Sequence, residues 1–103
     1  MTEREHNLQE LQQIGDSIVA MFGRNCETCI HDLTDLHHSL IHIKGSVTGR
    51  EIGAPATDLL VKLLKNAHGK PEDLHNYRTV SGDGRTLKSS TIFISDSSGT
   101  PIF

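Results

Sequence analysis

Three glycines at four-residue steps, Gly45, Gly49 and Gly53, followed by Ala54-Pro55, place the tightest limit on how this chain can fold. Each glycine inside a helix costs about 1 kcal/mol relative to alanine. A run so punctuated cannot make a good interior helix, so residues 45–53 read as a looped or single-turn segment. On either side of it the periodicities are legible.

Before the glycines, Leu8, Leu11, Ile14, Ile18, Met21 and Phe22 recur at helical spacing, which predicts a helix over 7–22 with one apolar stripe. Gly23 suits its C-terminal cap, and Gly15 is the one unfavourable residue inside it. Residues 26–33 then read as a strand. Side chains alternate along it, so Glu27, Cys29, His31 and Leu33 share one face and Cys26, Thr28, Ile30 and Asp32 the other. A second strand over 39–44 follows a Thr34-Asp35 turn, and the short spacing favours an antiparallel hairpin. After the glycines, Leu59, Leu60, Leu63 and Leu64 predict a helix over 57–66. Strands are expected at 77–80 and 86–95 around the turn Gly82-Asp83-Gly84, and residues 100–103 look like the start of another. The fold class is therefore α+β, with helices over one face of an antiparallel sheet.

The 103 residues suffice for a single core, and no run of about 18 apolar residues offers a membrane span. The polar start Met1-Thr2-Glu3-Arg4-Glu5-His6 leads into no export signal, so a cytoplasmic protein with reduced cysteines is expected. Ten basic residues, scattered among thirteen acidic ones, make this chain by itself a poor nucleic-acid binder. No serine, histidine or aspartate sits in a nucleophile elbow, and no enzyme case can be built. The low aromatic content gives a flavin or haem no stacking surface, and no cofactor is expected.

Several segments, taken in order, resemble a known family. They are Met21-Phe22-Gly23-Arg24-Asn25-Cys26-Glu27, His31-Asp32-Leu33, the stretch Val47 to Gly53 with Thr57-Asp58-Leu59, Asn76-Tyr77-Arg78, and Gly84 to Ile94. This ordered set is similar to the YheO-like PAS domain. The resemblance implies a PAS-like antiparallel sheet of about five strands with helices on one face and an N-terminal helix. It divides the chain into residues 1–23, a helix for dimerisation and packing, and residues 24–103, a PAS-like sensor domain. It also implies a noncatalytic sensory module of a bacterial transcriptional regulator, whose DNA-binding helix-turn-helix lies outside this chain. Lys44 stands where the family usually has asparagine. The family's last strand is central, between the first strand and 86–95, and this chain stops inside it at Phe103. A homodimer or a swapped segment is expected to cover that gap, because unpaired strand edges are costly when buried.

The resemblance and the residue chemistry together point to a small polar or anionic ligand held between the sheet and residues 45–66. Arg50 offers a guanidinium fork, Gly49 a close backbone approach, and Thr48 and His31 further polar contacts. Thr57, Asp58 and Lys88 stand behind them as weaker candidates. Each has a plainer reading: Arg50 paired with Glu51 or Asp58, His31 as an ordinary strand residue, and Lys88 on a solvated strand face. Cys26-Glu27-Thr28-Cys29 carries metal-site spacing, yet on a strand its two sulfurs diverge. Readings from other classes are a histidine-rich metal-binding protein, drawing on His31, Asp32, Asp35, His37, His38 and His42, and a protein-interaction module with no ligand.

Overall fold

A computed structural model describes residues 1–103. Helix α1 spans Glu3–Phe22, four residues longer at its start than the apolar stripe predicts. The reason is a capping box: the Glu5 N–H donates to Thr2 Oγ1 (3.1 Å), and the Thr2 N–H donates back to Glu5 Oε2 (3.3 Å). At the other end the Gly23 N–H closes on Val19 O at 2.8 Å. Only part of the predicted stripe faces inward. Leu8, Leu11 and Ile18 are half-buried, whereas Ile14, Met21 and Phe22 are 57%, 73% and 73% exposed, and the residue α1 buries is Val19, which the stripe did not include.

Strands β1 (Thr28–His31) and β2 (Leu40–Lys44) form the expected antiparallel hairpin, pairing Thr28 with Lys44 and Ile30 with His42. A bulge after Ile30 shifts the register so that His31 pairs with Leu40. The connection is a turn in which Asp32 Oδ1 accepts the Thr34 N–H and hydroxyl, then a 3-10 turn at Leu36–His38. Helix α1 lies across this hairpin. Its seat explains Gly15: a Cβ there would stand 3.0 Å from Thr28 Oγ1. Gly15→Ala should therefore forfeit the gain of about 1 kcal/mol that helix propensity alone would give. Gly15→Val should cost about 2 kcal/mol through overpacking. Urea unfolding checks both, and an alanine variant stabilised by the full propensity term would show that α1 does not rest there.

Helix α2 (Asp58–Lys65) starts at Thr57, whose Oγ1 accepts the Leu60 N–H at 3.3 Å. Strands β3 (Leu74–Val80) and β4 (Thr86–Thr91) form a second antiparallel hairpin through the Gly82-Asp83-Gly84 turn. β3 begins three residues earlier than predicted, with Asn76 at a φ of 57° where the register breaks. β4 ends four residues early. Phe93 gives its N–H to Asp73 Oδ1 (2.8 Å) instead of to a strand neighbour.

The expected single sheet of about five strands is corrected to two separate two-stranded sheets, β1–β2 and β3–β4. Residues 100–103 do lie between the predicted flanks: the Leu33 N–H donates to Ile102 O (3.0 Å) and the Ile94 N–H to Phe103 O (2.9 Å). Beside them stands one isolated bridge, Ser95 with Pro101. So short a stretch cannot build the ladders that would merge two hairpins.

The first turn of α1 gathers this region. Glu3 accepts the Ser97 N–H and hydroxyl at 2.8 and 3.1 Å. Arg4 pairs with Asp32 at 2.9 Å and stacks 4.6 Å over the Phe103 ring. The core is thin: Val19, Leu40, Leu60, Phe93, Ile102 and Phe103, with Ser39 and Pro71. The chain exposes 7043 Å². A compact monomer of 11.3 kDa should expose roughly 5,700 Å².

Candidate functional site

The β1 alternation places Glu27, Cys29 and His31 on one side, and the glycine segment folds back over that side. Gly45, at a φ of 92°, makes the reversal close against Cys26 and Glu27. Beyond it Thr48 grips Glu27 twice, its N–H reaching Oε2 at 2.9 Å and its hydroxyl reaching Oε1 at 2.7 Å. Thr48 Oγ1 also accepts the Arg50 N–H at 3.3 Å, and Arg50 Nη2 donates to Pro55 O at 2.7 Å. From the other hairpin, the Arg85 guanidinium reaches Val47 O while its Nε pairs with Asp83 at 2.8 Å. The loop is thus held to β1 by an acid and to the β3–β4 turn by a base.

His31 Nδ1 shares a hydrogen bond with Ser39 Oγ at 2.7 Å, and Ser39 is completely buried. Burial, reinforced by the Arg50 charge, lowers the His31 pKa from 6.5 to about 4, so the ring is neutral at physiological pH. Cys29 is exposed as a residue, but its sulfur is crowded. Desolvation, then the neighbouring Glu27 carboxylate, push that thiol up to about 11 against the opposing pull of Arg50. It is a protonated thiol, poorly suited to nucleophilic or metal chemistry.

The electrostatics are unusual in one respect. Arg50 has no carboxylate and Glu27 no cation within 4.0 Å, although both face Cys29. Arg50 therefore keeps a half-buried guanidinium with most of its five donors uncommitted.

Of the candidates read from sequence, His31, Thr48, Gly49 and Arg50 are gathered around this face. Thr57 and Asp58 are elsewhere, the one capping α2 and the other exposed in its first turn. Lys88 is exposed on β4, opposite Arg78 in the second sheet. Glu27 and Ser39 join this face without being among the residues expected from sequence. Glu27 was findable, since alternation puts it on the His31 face, whereas nothing in the sequence marks Ser39 as the fully buried partner of that ring.

The histidines are dispersed among separate acids: His42 with Asp16 (2.8 Å), His38 with Asp35 (3.5 Å) and His6 with Glu10 (3.1 Å). No three or more His, Cys, Asp or Glu side chains converge as a metal cage, and both cysteines are free. No helix is long and apolar enough to cross a membrane.

Comparison with known proteins adds the family context. The family described as YheO-like PAS domain matches residues 2–103, α1 included. The uncharacterized protein YheO of Escherichia coli strain K12 is 36% identical over 89 residues, covering 84% of this chain and 37% of that protein. The Shigella flexneri protein of the same name gives the same figures. An uncharacterized protein of Haemophilus influenzae is 31% identical over 88 residues, covering 84% of this chain and 39% of its own length. This chain thus spans little more than a third of the length of the curated relatives it matches. No solved structure is significantly similar to it.

Proposed function

This chain belongs to the YheO-like PAS domain family, and from that premise we propose that it is the ligand-sensing and dimerising domain of a bacterial DNA-binding transcriptional regulator. It is noncatalytic and works in the cytoplasm, and DNA is contacted by a region of the protein outside these residues. The observation that carries the reading is Arg50, whose backbone meets Thr48 and whose guanidinium has no acid partner, with its charge felt by a neutral His31. These groups hold a small anionic molecule between β1 and the glycine segment. The molecule acts by binding one arrangement of that segment more tightly than another, which shifts the population the DNA-binding region feels.

The dimer forms through residues 1–23. Ile14, Ile18 and Met21, with Glu10, Gln13 and Ser17, line an open groove on the outward side of α1. Phe22 continues the apolar surface at its end. The chain exposes roughly 1,300 Å² more than a compact monomer of its mass should. A standard interface covers about 800 Å² per partner, so a second copy would cover somewhat more than half of that excess. The Cys29 thiol, held protonated, and the fully buried Ser39 hydroxyl support a binding module over an enzyme.

Native mass spectrometry of the freshly purified chain tests the reading. A dimer retaining a small anionic compound is expected. Met21→Glu with Phe22→Glu should weaken the dimer at least about tenfold. A monomer with nothing retained, unchanged by those substitutions, would remove the proposal.

A further inference from the structure

Glu27 and Thr48 make a contact that the sensing role alone does not explain. Each carboxylate oxygen takes one Thr48 donor, the backbone N–H on one and the hydroxyl on the other. That is two-point recognition of a planar carboxylate by a single loop residue. Beyond Thr48 stands Arg50, with no acid of its own. The loop therefore carries carboxylate donors on both Thr48 and Arg50, and the protein's own acid engages only those of Thr48.

Building on the ligand reading above, we propose that residues 48–50 form a binding site for an exogenous carboxylate, with Glu27 acting as its internal competitor. Glu27 precedes β1, outside the strand ladder, so its side chain can leave Thr48 without breaking a backbone pair. The space over Gly49 is open, since a Cβ built there meets nothing within 4 Å. An incoming carboxylate takes the two Thr48 donors and the Arg50 fork together, which Glu27 does not do. Displacement of Glu27 also frees the Thr48 part of the loop from the start of β1, while Gly53 and Ala54 stay bonded to Leu40 and Val47 O stays with Arg85. Binding is thereby converted into a local change in how the glycine segment is fastened beside β1.

The class is read from the group already seated there: both Thr48 donors hold the carboxylate of Glu27, so a carboxylate is the chemistry that competes for them. While Glu27 fills the site, only the fraction of molecules with it vacated can bind, and apparent affinity falls by that fraction.

The test is calorimetric titration of the 103-residue chain with acetate, succinate and inorganic phosphate, alongside Glu27→Ala, Glu27→Gln, Thr48→Val and Arg50→Gln. Circular dichroism verifies that each variant is folded. Both Glu27 variants should bind succinate about tenfold more tightly than the parent chain. Thr48→Val and Arg50→Gln should lose that binding. Equal or weaker binding by both folded Glu27 variants overturns the competitor, and phosphate bound as tightly as succinate overturns the carboxylate class. If no carboxylate binds any variant while native mass spectrometry finds a retained compound, this inference falls alone. If neither experiment finds a ligand, the sensing reading falls with it.

Discussion

Gly45→Ala is expected to lose stability on the order of 3 kcal/mol, a large share of what a domain this size has. Two effects act together. The residue sits at a φ of 92°, where an L side chain is strained, and its Cβ would stand 2.4 Å from Cys26 O and 3.1 Å from Glu27 Cα. Both neighbours are backbone atoms, so relief requires the β1–β2 hairpin to shift rather than one side chain to turn. Gly49 separates the two effects: its φ of 71° is also left-handed, but a Cβ there meets nothing within 4 Å. Gly49→Ala should cost only about 1 kcal/mol. Urea midpoints of the two variants provide the comparison. If the alanine at 45 costs no more than the one at 49, the loop does not pass as close to β1 as described.

Acid should destabilise the domain through His31. Its folded pKa lies near 4 and its ordinary value is 6.5. Above pH 6.5 the ring is neutral in both states and contributes no pH dependence. Between 6.5 and 4 the unfolded chain takes up a proton that the folded chain refuses, so stability falls with pH. The loss ends near pH 4, when the folded ring also protonates. It amounts to at most about 3 kcal/mol, with solvent reaching the half-buried ring reducing it. Asp32 adds a separate slope at more acid pH, because its hydrogen bonds with Thr34 and its pairing with Arg4 outweigh desolvation and lower its pKa. Unfolding free energies from pH 7 to 4 for the parent and for His31→Gln isolate the histidine contribution. Parallel curves would show that the ring is not sheltered by Ser39 and Arg50.

The sequence disclosed the elements better than their assembly. The helical stripe, the 28–44 hairpin and the Gly82-Asp83-Gly84 turn were legible because periodicity and turn chemistry are local signals. The early start of α1 was also written there, in the Thr2 and Glu5 pair, though outside the apolar repeat. Which part of the stripe faces inward was not, since that depends on Gly15 seating against Thr28, 13 positions away in sequence. The merged sheet failed for a similar reason: whether residues 100–103 join two hairpins is set by backbone bonds to Leu33 and Ile94, which no local pattern encodes. Around the site, alternation along β1 sufficed to align His31 with Glu27. The Thr48 grip on Glu27 spans 21 positions and became visible only once the loop was folded.

The grip of Glu3 on Ser97 joins residues 94 positions apart. A clasp between chain positions so distant closes a very large loop, and such closures form late because their entropy cost precedes any reward. The hairpins and helices, made of near neighbours, can assemble first and wait for it. The opening turn of α1 is then the last piece fastened and the natural place for the domain to begin to come undone.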